Sequence, residues 1–365
     1  MPRQFVLEDL DDLCRGAAVL GTGGGGDPYI GGLLAAEAIR KYGPVTLWDL
    51  AEVPDDALVV AIGGMGAPTV VIEKIPNGRE YLWALEALER HLGRKVDAII
   101  PFEAGGMNST TPLMVAAERG LPVVDADGMG RAFPELQMET FNVYGVPAAP
   151  MAVVNEWGDS VIIEAGSAKM VEWLARGATI RMGGHTAIAE YAMDGATCRR
   201  VSVPGTLGLT QIIGRSIREA REQHRDVFTS LIASFASTHY QHARILFSGK
   251  ISDVSRRTER GFAIGDVRIE GLEPFAGEML IRVQNENLLA LRDGQVRAIV
   301  PDLICILDSE TGDAITTERV RYGQRVTVLG VSVPPIMRTA EALAIFGPHA
   351  FGLDYPFTKI EDLPC

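Results

Sequence analysis

The chain has 365 residues, 47% of them hydrophobic, a net charge of −13 and four cysteines. Its length is enough for two domains with substantial cores. The acidic balance argues against nucleic acid or an anionic membrane surface as partner, since both require a basic footprint. No apolar run approaches the roughly eighteen residues of a membrane span. The acidic start MPRQFVLEDLDDL does not read as a signal peptide, so a cytoplasmic address is expected. Cys14, Cys198, Cys305 and Cys365 show no C-x-x-C spacing; reduced thiols are expected, with Cys365 disordered at the end of the chain.

Residues 7–17 have helical spacing and are followed by a short apolar segment, Ala18–Leu20, expected to be a strand. The loop GTGGGGDP then leads into an apolar-faced helix from Tyr29 to about Lys41, with Asp27 as its cap and Pro28 at its first position. Gly21, Gly23 and Gly26 satisfy G-x-G-x-x-G, and Asp49, after the strand Val45–Leu50, stands where a ribose-binding acid would. Against a dinucleotide-dependent oxidoreductase, the preceding strand is very short, and Asp27 puts negative charge where a pyrophosphate would sit. The competing reading is a tight turn between helix and sheet. Gly23, Gly24, Gly25 and Asp27 stand as candidate substrate contacts.

Ala57–Pro68 reads as a buried strand ending in a glycine loop that carries Gly64 and Met65. Tyr81–Leu92 is an amphipathic helix with Leu82, Leu85, Leu88 and Leu92 on one stripe. The central unit runs from Val96 to Glu135: a strand (Val96–Pro101), a loop (Glu103–Asn108), a helix (Thr110–Arg119), a strand (Leu121–Val124) and a second loop (Asp125–Gly130). Apolar runs without alternation mark strands covered on both faces, whose ligand sites lie outside their carboxyl ends. Glu103 is therefore a candidate base or metal ligand, weighed against a simple helix cap. Asp125 and Asp127 alternate along the strand exit, so one of the two is expected to face the crevice. Gly105, Gly106 and Asn108 are candidate substrate contacts in the same loop. Arg131 and Glu135 begin an expected helix, Arg131–Phe141, and contact either an anionic ligand group or each other. The glycine loops at 21–26, 63–66, 103–108 and 125–130 are expected to converge on one crevice.

A hairpin follows, Met151–Asn155 and Ser160–Glu164 around Trp157-Gly158-Asp159, and then a helix, Ala168–Arg176. His185, directly after Gly-Gly, is the strongest acid–base candidate among six histidines. One long amphipathic helix is expected over Thr206–Phe235. His239 and His242, three apart, have a spacing that suits a metal but no evident further ligand. From Ala243 to about Val333 short alternating runs are split by turns at Asp293-Gly294, Thr311-Gly312-Asp313 and Tyr322-Gly323, the texture of a mostly antiparallel barrel or sandwich. The tail is expected to fold back, with His349, Phe351 and Tyr355 walling the pocket. Domains are thus expected at 1–242, 243–335 and 336–365.

In the motifs GTGGGGDP, PFEAGGMNS, DADGMGRAFPELQM, RMGGH, RDGQVRAIVPDLICILDSETG and FGPHAFGLDYPF, and in their order, the chain resembles the bacterial family named for S-methyl thiohydantoin desulfurase. The likeness covers nearly the whole chain. It implies an α/β fold: a three-layer α/β/α N-terminal domain with a mostly parallel sheet, plus a C-terminal, mostly antiparallel β-barrel-like domain. It also implies hydrolysis of the C–S bond in a sulfur-bearing hydantoin ring. Such chemistry needs activated water, stabilisation of charge at the attacked ring carbon, and protonation of the leaving sulfur. Strand-end acids suit the first, glycine-loop N–H groups the second and His185 the third. A divalent metal such as zinc would replace the base and capture a thiolate, although no clean ligand motif is present. No G-x-S-x-G elbow occurs, which argues against a serine nucleophile. The expected partners are a small cyclic amide or thiohydantoin and further copies of the chain in a homo-oligomer, with no nucleic acid and no membrane. A non-catalytic sensor using the same cleft is the competing class.

Overall fold

The computed structural model describes residues 2–67, 70, 73–259 and 262–364; Pro68, at the end of the second glycine segment, and Cys365 lie outside them. A nine-stranded sheet is built from β1 (Arg3–Phe5), β2 (Val45–Asp49), β3 (Leu58–Gly66), β4 (Ala98–Pro101), β5 (Val123–Asp127), β6 (Met151–Val154), β7 (Ser160–Ile163), β8 (His185–Asp194) and β9 (Val203–Pro204). The strand order is β1-β2-β5-β4-β3-β8-β6-β7, with β9 paired to β5. Strands β2, β5, β4 and β3 are mutually parallel, and antiparallel neighbours flank them. Val59–Ile62 and Ala98–Ile100 are buried throughout, which is why these strands read as continuous apolar runs. Helices Glu80–Leu92, Thr111–Arg119 and Ala168–Arg181 pack against this sheet.

The second sheet is an open, curled antiparallel half-barrel of seven strands: β10 (Ala243–Glu259), β11 (Phe262–Gly271), β12 (Glu278–Gln284), β13 (Glu286–Arg292), β14 (Gln295–Ile299), β15 (Leu303–Asp308) and β16 (Arg325–Val331). The turn at Asp293-Gly294, with both residues at positive φ, joins β13 to β14 as its sequence predicts. The fold class is thus the expected one. Among the described residues, no helix is long and apolar enough to cross a membrane.

Three local expectations are corrected. Ala18–Leu20 is not a strand: it completes the helix Leu10–Leu20, so the glycine-rich loop joins two helices. The helix is held by the close crossing of Thr206–Glu222, where a Cβ on Gly16 would lie 1.8 Å from Thr210 O and one on Gly214 would lie 1.8 Å from Asp12 O. The dinucleotide arrangement loses its strand, and Asp49 caps a short 3-10 turn through Ala51 N at 2.9 Å. Residues 131–139 are not helical; Pro134 interrupts them, and only Thr140–Val143 forms a helix. The long helix ends at Glu222, because His224 adopts φ +53° and Asp226 caps a new helix, Val227–Phe235, through Thr229 N at 2.7 Å.

The glycine loop stitches the two sheets together. Thr22 Oγ1 donates to Ile304 O at 2.8 Å, Thr22 O accepts from Asn287 N at 2.8 Å, and Gly23 O accepts from Thr317 N at 2.8 Å.

Candidate active site

Residues at or just past the carboxyl ends of β3, β4 and β5 line a narrow cleft together with Gly25 and Gly26 and, from the second sheet, Asn285 and Glu286. All four glycine segments contribute, through Gly25, Gly64, Glu103 and Met129 among others, although 63–66 is no loop but the end of β3, paired with β8. The empty space between its lining atoms is about 670 Å³, part of it open solvent. Met65, Phe102, Met107, Phe133 and Leu136 give the cleft a soft, apolar wall.

Glu103 lies two residues past the end of β4 and is buried. Its Oε1 accepts from Asn108 Nδ2 at 2.7 Å, while Oε2 has no protein partner. Asn108 is itself fixed on the edge of β3: its Oδ1 accepts from Gly64 N at 2.7 Å and its Nδ2 also reaches Gly64 O at 3.3 Å. Burial pushes the Glu103 carboxyl well above the ordinary range; Asn108 opposes this, and the nearby Glu286 and Asp127 add to it.

Glu286 opens β13 immediately after Asn285, which takes φ +58°, a conformation asparagine tolerates. It too is buried with a free Oε2, and burial pushes its carboxyl up to about 8 while the Arg131 guanidinium pulls it back. The missing side chain of Gly24 makes room for this carboxyl, since a Cβ there would lie 2.1 Å from Glu286 Oε1. His185 starts β8 opposite Gly66. Its Nε2 is buried without a partner, and burial, reinforced by the Lys74 charge, lowers it to about 4. The imidazole is therefore neutral at pH 7. Two carboxyls with free oxygens and a neutral imidazole thus meet at one cleft, an arrangement suited to proton transfer.

Two family models match the chain, S-Me-THD-like, N-terminal domain over residues 8–165 and S-Me-THD-like, C-terminal domain over residues 166–360. The chain belongs to the S-Me-THD-like family. The division between these family domains falls just before the helix Ala168–Arg181, so His185 belongs to the C-terminal one although its strand completes the first sheet. A crystal structure of a protein from Chromobacterium violaceum is similar over 98% of this chain and 100% of its own, with a TM-score of 0.83 and 24% sequence identity. The likeness to that protein concerns the fold alone. No curated protein matches the chain.

Of the residues singled out in this S-Me-THD-like sequence, Gly25, Gly64, Met65, Glu103, Asn108, Glu135 and His185 line the cleft. Asp127 lies beneath it, its carboxylate accepting from Ala104 N at 2.7 Å and Gly130 N at 2.9 Å, with burial pushing it up to about 7. Asp127 therefore shapes two of the glycine loops. Asp125 points elsewhere, accepting from Gly208 N at 2.8 Å and pairing with Arg3 at 3.2 Å; the two acids are two residues apart, so strand alternation alone does not separate them. Gly105 and Gly106 serve loop packing, since a Cβ on Gly106 would lie 2.2 Å from Gly25 O. Gly23 and Gly24 lie against Asn287 and Glu286 of the second sheet and Thr317 in the connection between β15 and β16. Asp27 caps its helix through Tyr29 N at 3.0 Å and pairs with Arg319.

Arg131 is buried at the seam between the sheets, donating to Asp302 O and Asn287 O, both at 3.3 Å, rather than to a ligand. His349 is exposed in a short 3-10 turn, but the tail does back the cleft, through Phe351 as expected and through Phe346, whose rings stack on Phe133 at 6.4 and 4.9 Å. Among the described residues, no three His, Cys, Asp or Glu side chains form a metal-ligand cluster. The residue that sequence reasoning missed is Glu286. Its signal was the polar run Gln284-Asn285-Glu286-Asn287 opening an otherwise apolar strand.

Proposed function

We propose that this protein is a hydrolase that cleaves the C–S bond of an S-methyl thiohydantoin, giving the hydantoin and methanethiol. The observation that carries the reading is the pairing of Glu103 and Glu286 across one apolar-walled cleft, each buried and each with an unpartnered oxygen. Family membership supports the substrate class. Glu286, beside Arg131, ionises first and serves as base; Glu103, held protonated by burial, serves as acid.

Glu286 takes one proton from water as the oxygen bonds to the ring carbon that bears sulfur. The C=N electron pair moves onto the ring nitrogen, which receives the Glu103 proton. As the C–S bond breaks, the new hydroxyl returns its proton to Glu103, and Glu286 gives its proton to the departing methanethiolate. Both carboxyls are then restored, and water has supplied the carbonyl oxygen, one N–H and the thiol proton. Neutral His185, at the rim, orients the water or the sulfur. Methanethiol release from an S-methyl thiohydantoin, assayed beside ring opening of plain hydantoins, tests the proposal. Ring opening without thiol release would make the protein an amidohydrolase, and tight binding without turnover would make it a sensor.

A further inference from the structure

Asn285 is the single residue that turns the chain from β12 into β13, immediately before Glu286. In a regular strand consecutive side chains point to opposite faces. The left-handed φ of +58° at Asn285 breaks that alternation, and Asn285 and Glu286 both line the cleft. Three of the four polar groups of Asn285 are spent within the protein: its N donates to Ala263 O at 2.8 Å, its O accepts from Thr317 Oγ1 at 3.0 Å, and its Oδ1 accepts from Ala263 N at 2.9 Å. Since the partner of Oδ1 is a backbone N–H, that branch of the amide is the oxygen and the other is the donor. Among the described residues Nδ2 has no partner, and Asn285 is only half-buried. The start of β11 fixes this corner, because Ala263 makes two of the bonds and the ring of the preceding Phe262 lies 5.2 Å from the guanidinium of Arg176, a further residue of the cleft wall.

We propose that Asn285 sets the ring specificity of the cleft, donating through Nδ2 to the ring carbonyl of the substrate that is not attacked. The inference rests on the thiohydantoin reading and adds the feature that is recognised: an acceptor oxygen on a ring carbon that one nitrogen separates from the carbon bearing sulfur. Consecutive Cα atoms lie about 3.8 Å apart, so a donor on residue 285 and a base on residue 286 span two such ring positions. The bonds to Ala263 and Thr317 hold the amide in place before the ring arrives, which leaves little freedom to lose on binding. A ring without the second carbonyl would enter but leave Nδ2 unpaired.

The experiment is calorimetric binding of two plain rings, hydantoin and imidazolidin-2-one, which lacks the second carbonyl. The wild type is expected to bind hydantoin about tenfold more tightly, the scale of one hydrogen bond whose donor otherwise stays unpaired. Asn285→Gly, which adopts the same left-handed conformation, should bring that ratio close to one. Asn285→Asp, which keeps an acceptor for Ala263 N but has no donor, should do the same. A preference that survives in either variant would leave Asn285 a corner residue and overturn the proposal. Thiol release from the S-methyl thiohydantoin, measured separately, distinguishes the two ideas. A preference that both variants abolish, in a protein that releases no thiol, keeps the role of Asn285 and sinks the desulfurase reading. No preference in the wild type, absence of binding included, sinks the role of Asn285 whatever the turnover.

Discussion

Replacing Glu286 by glutamine probes the assigned base through stability and rate together. Burial moves this carboxyl from 4.5 to about 8, a difference worth about 5 kcal/mol at 1.36 kcal/mol per pH unit. The sign follows from proton binding: between these values the folded protein keeps a proton that the unfolded chain has released. Glu286 therefore costs nothing below about pH 4.5, and its penalty grows as pH rises, reaching its full size just above pH 8. Glutamine has no proton to lose. Relative to the wild type, Glu286→Gln should gain stability steadily from pH 5 to pH 9, reaching a Tm advantage on the order of 10 °C at the alkaline end. Differential scanning calorimetry of both proteins across that range measures it. The same variant should lose at least about 100-fold in kcat, because glutamine cannot accept a proton, while wild-type kcat/KM should rise toward pH 8 as Glu286 ionises. A Tm difference that does not change with pH would refute the burial argument, and an active variant would remove Glu286 from the chemistry.

Glu103→Gln keeps an oxygen for Asn108 to donate to, so the fold should survive, with a Tm that gains on the wild type as pH rises above the ordinary carboxylate range, while kcat falls by at least about 100-fold; activity that merely tracks the folded fraction would make Glu103 structural. Gly24→Ala places a methyl 2.1 Å from Glu286 Oε1 and forces the carboxyl to move; a displacement of about 1 Å should cost about 100-fold in kcat, and an unimpaired variant would show that the position of Glu286 does not matter. Asp125→Ala removes the acceptor for Gly208 N and should cost about 1 kcal/mol in denaturant unfolding with kcat unchanged; a catalytic defect in soluble, folded protein would return Asp125 to the site.

What the sequence made legible follows from how each signal is encoded. β3 and β4 are buried on both faces, so uninterrupted apolar runs announced them, and parallel topology then put the loops after them at one crevice. His185 stood out because two glycines at positive φ precede it and carry the chain into β8. Asp125 and Asp127, two apart, share a face of a regular strand, so alternation could not separate them; their partners do, Gly208 N and Arg3 for the first and Ala104 N and Gly130 N for the second. Ala18–Leu20 is too short to carry a period, and only the packing of Thr206–Glu222 against the preceding turns decides that it is helix. Glu286 was hidden for a different reason. The apolar run of β13 starts after it, so Glu286 reads as part of the polar turn before the strand, and nothing local reveals that the glycine loop crosses here, Thr22 O accepting from Asn287 N.

The same crossing explains why the site needs both sheets. Around Glu103 the first sheet buries Asp127, Glu139 and Glu190, and neither carboxylate oxygen of Glu139 or Glu190 has a protein partner. Burial pushes both of these groups upward, and the charge of Glu190 would push Glu139 further. Such a neighbourhood holds protons rather than charges, so it stabilises Glu103 as an acid and disfavours any carboxylate within its reach. A base must then be brought from outside it and given its own counter-charge. The half-barrel supplies Glu286 at the start of β13, and the buried Arg131, bonded to Asp302 O and Asn287 O of that sheet, supplies the compensating cation. Neither sheet alone carries both the proposed acid, kept neutral, and the proposed base, kept ionisable; their junction does, so the proposed chemistry belongs to the seam rather than to the core of either half.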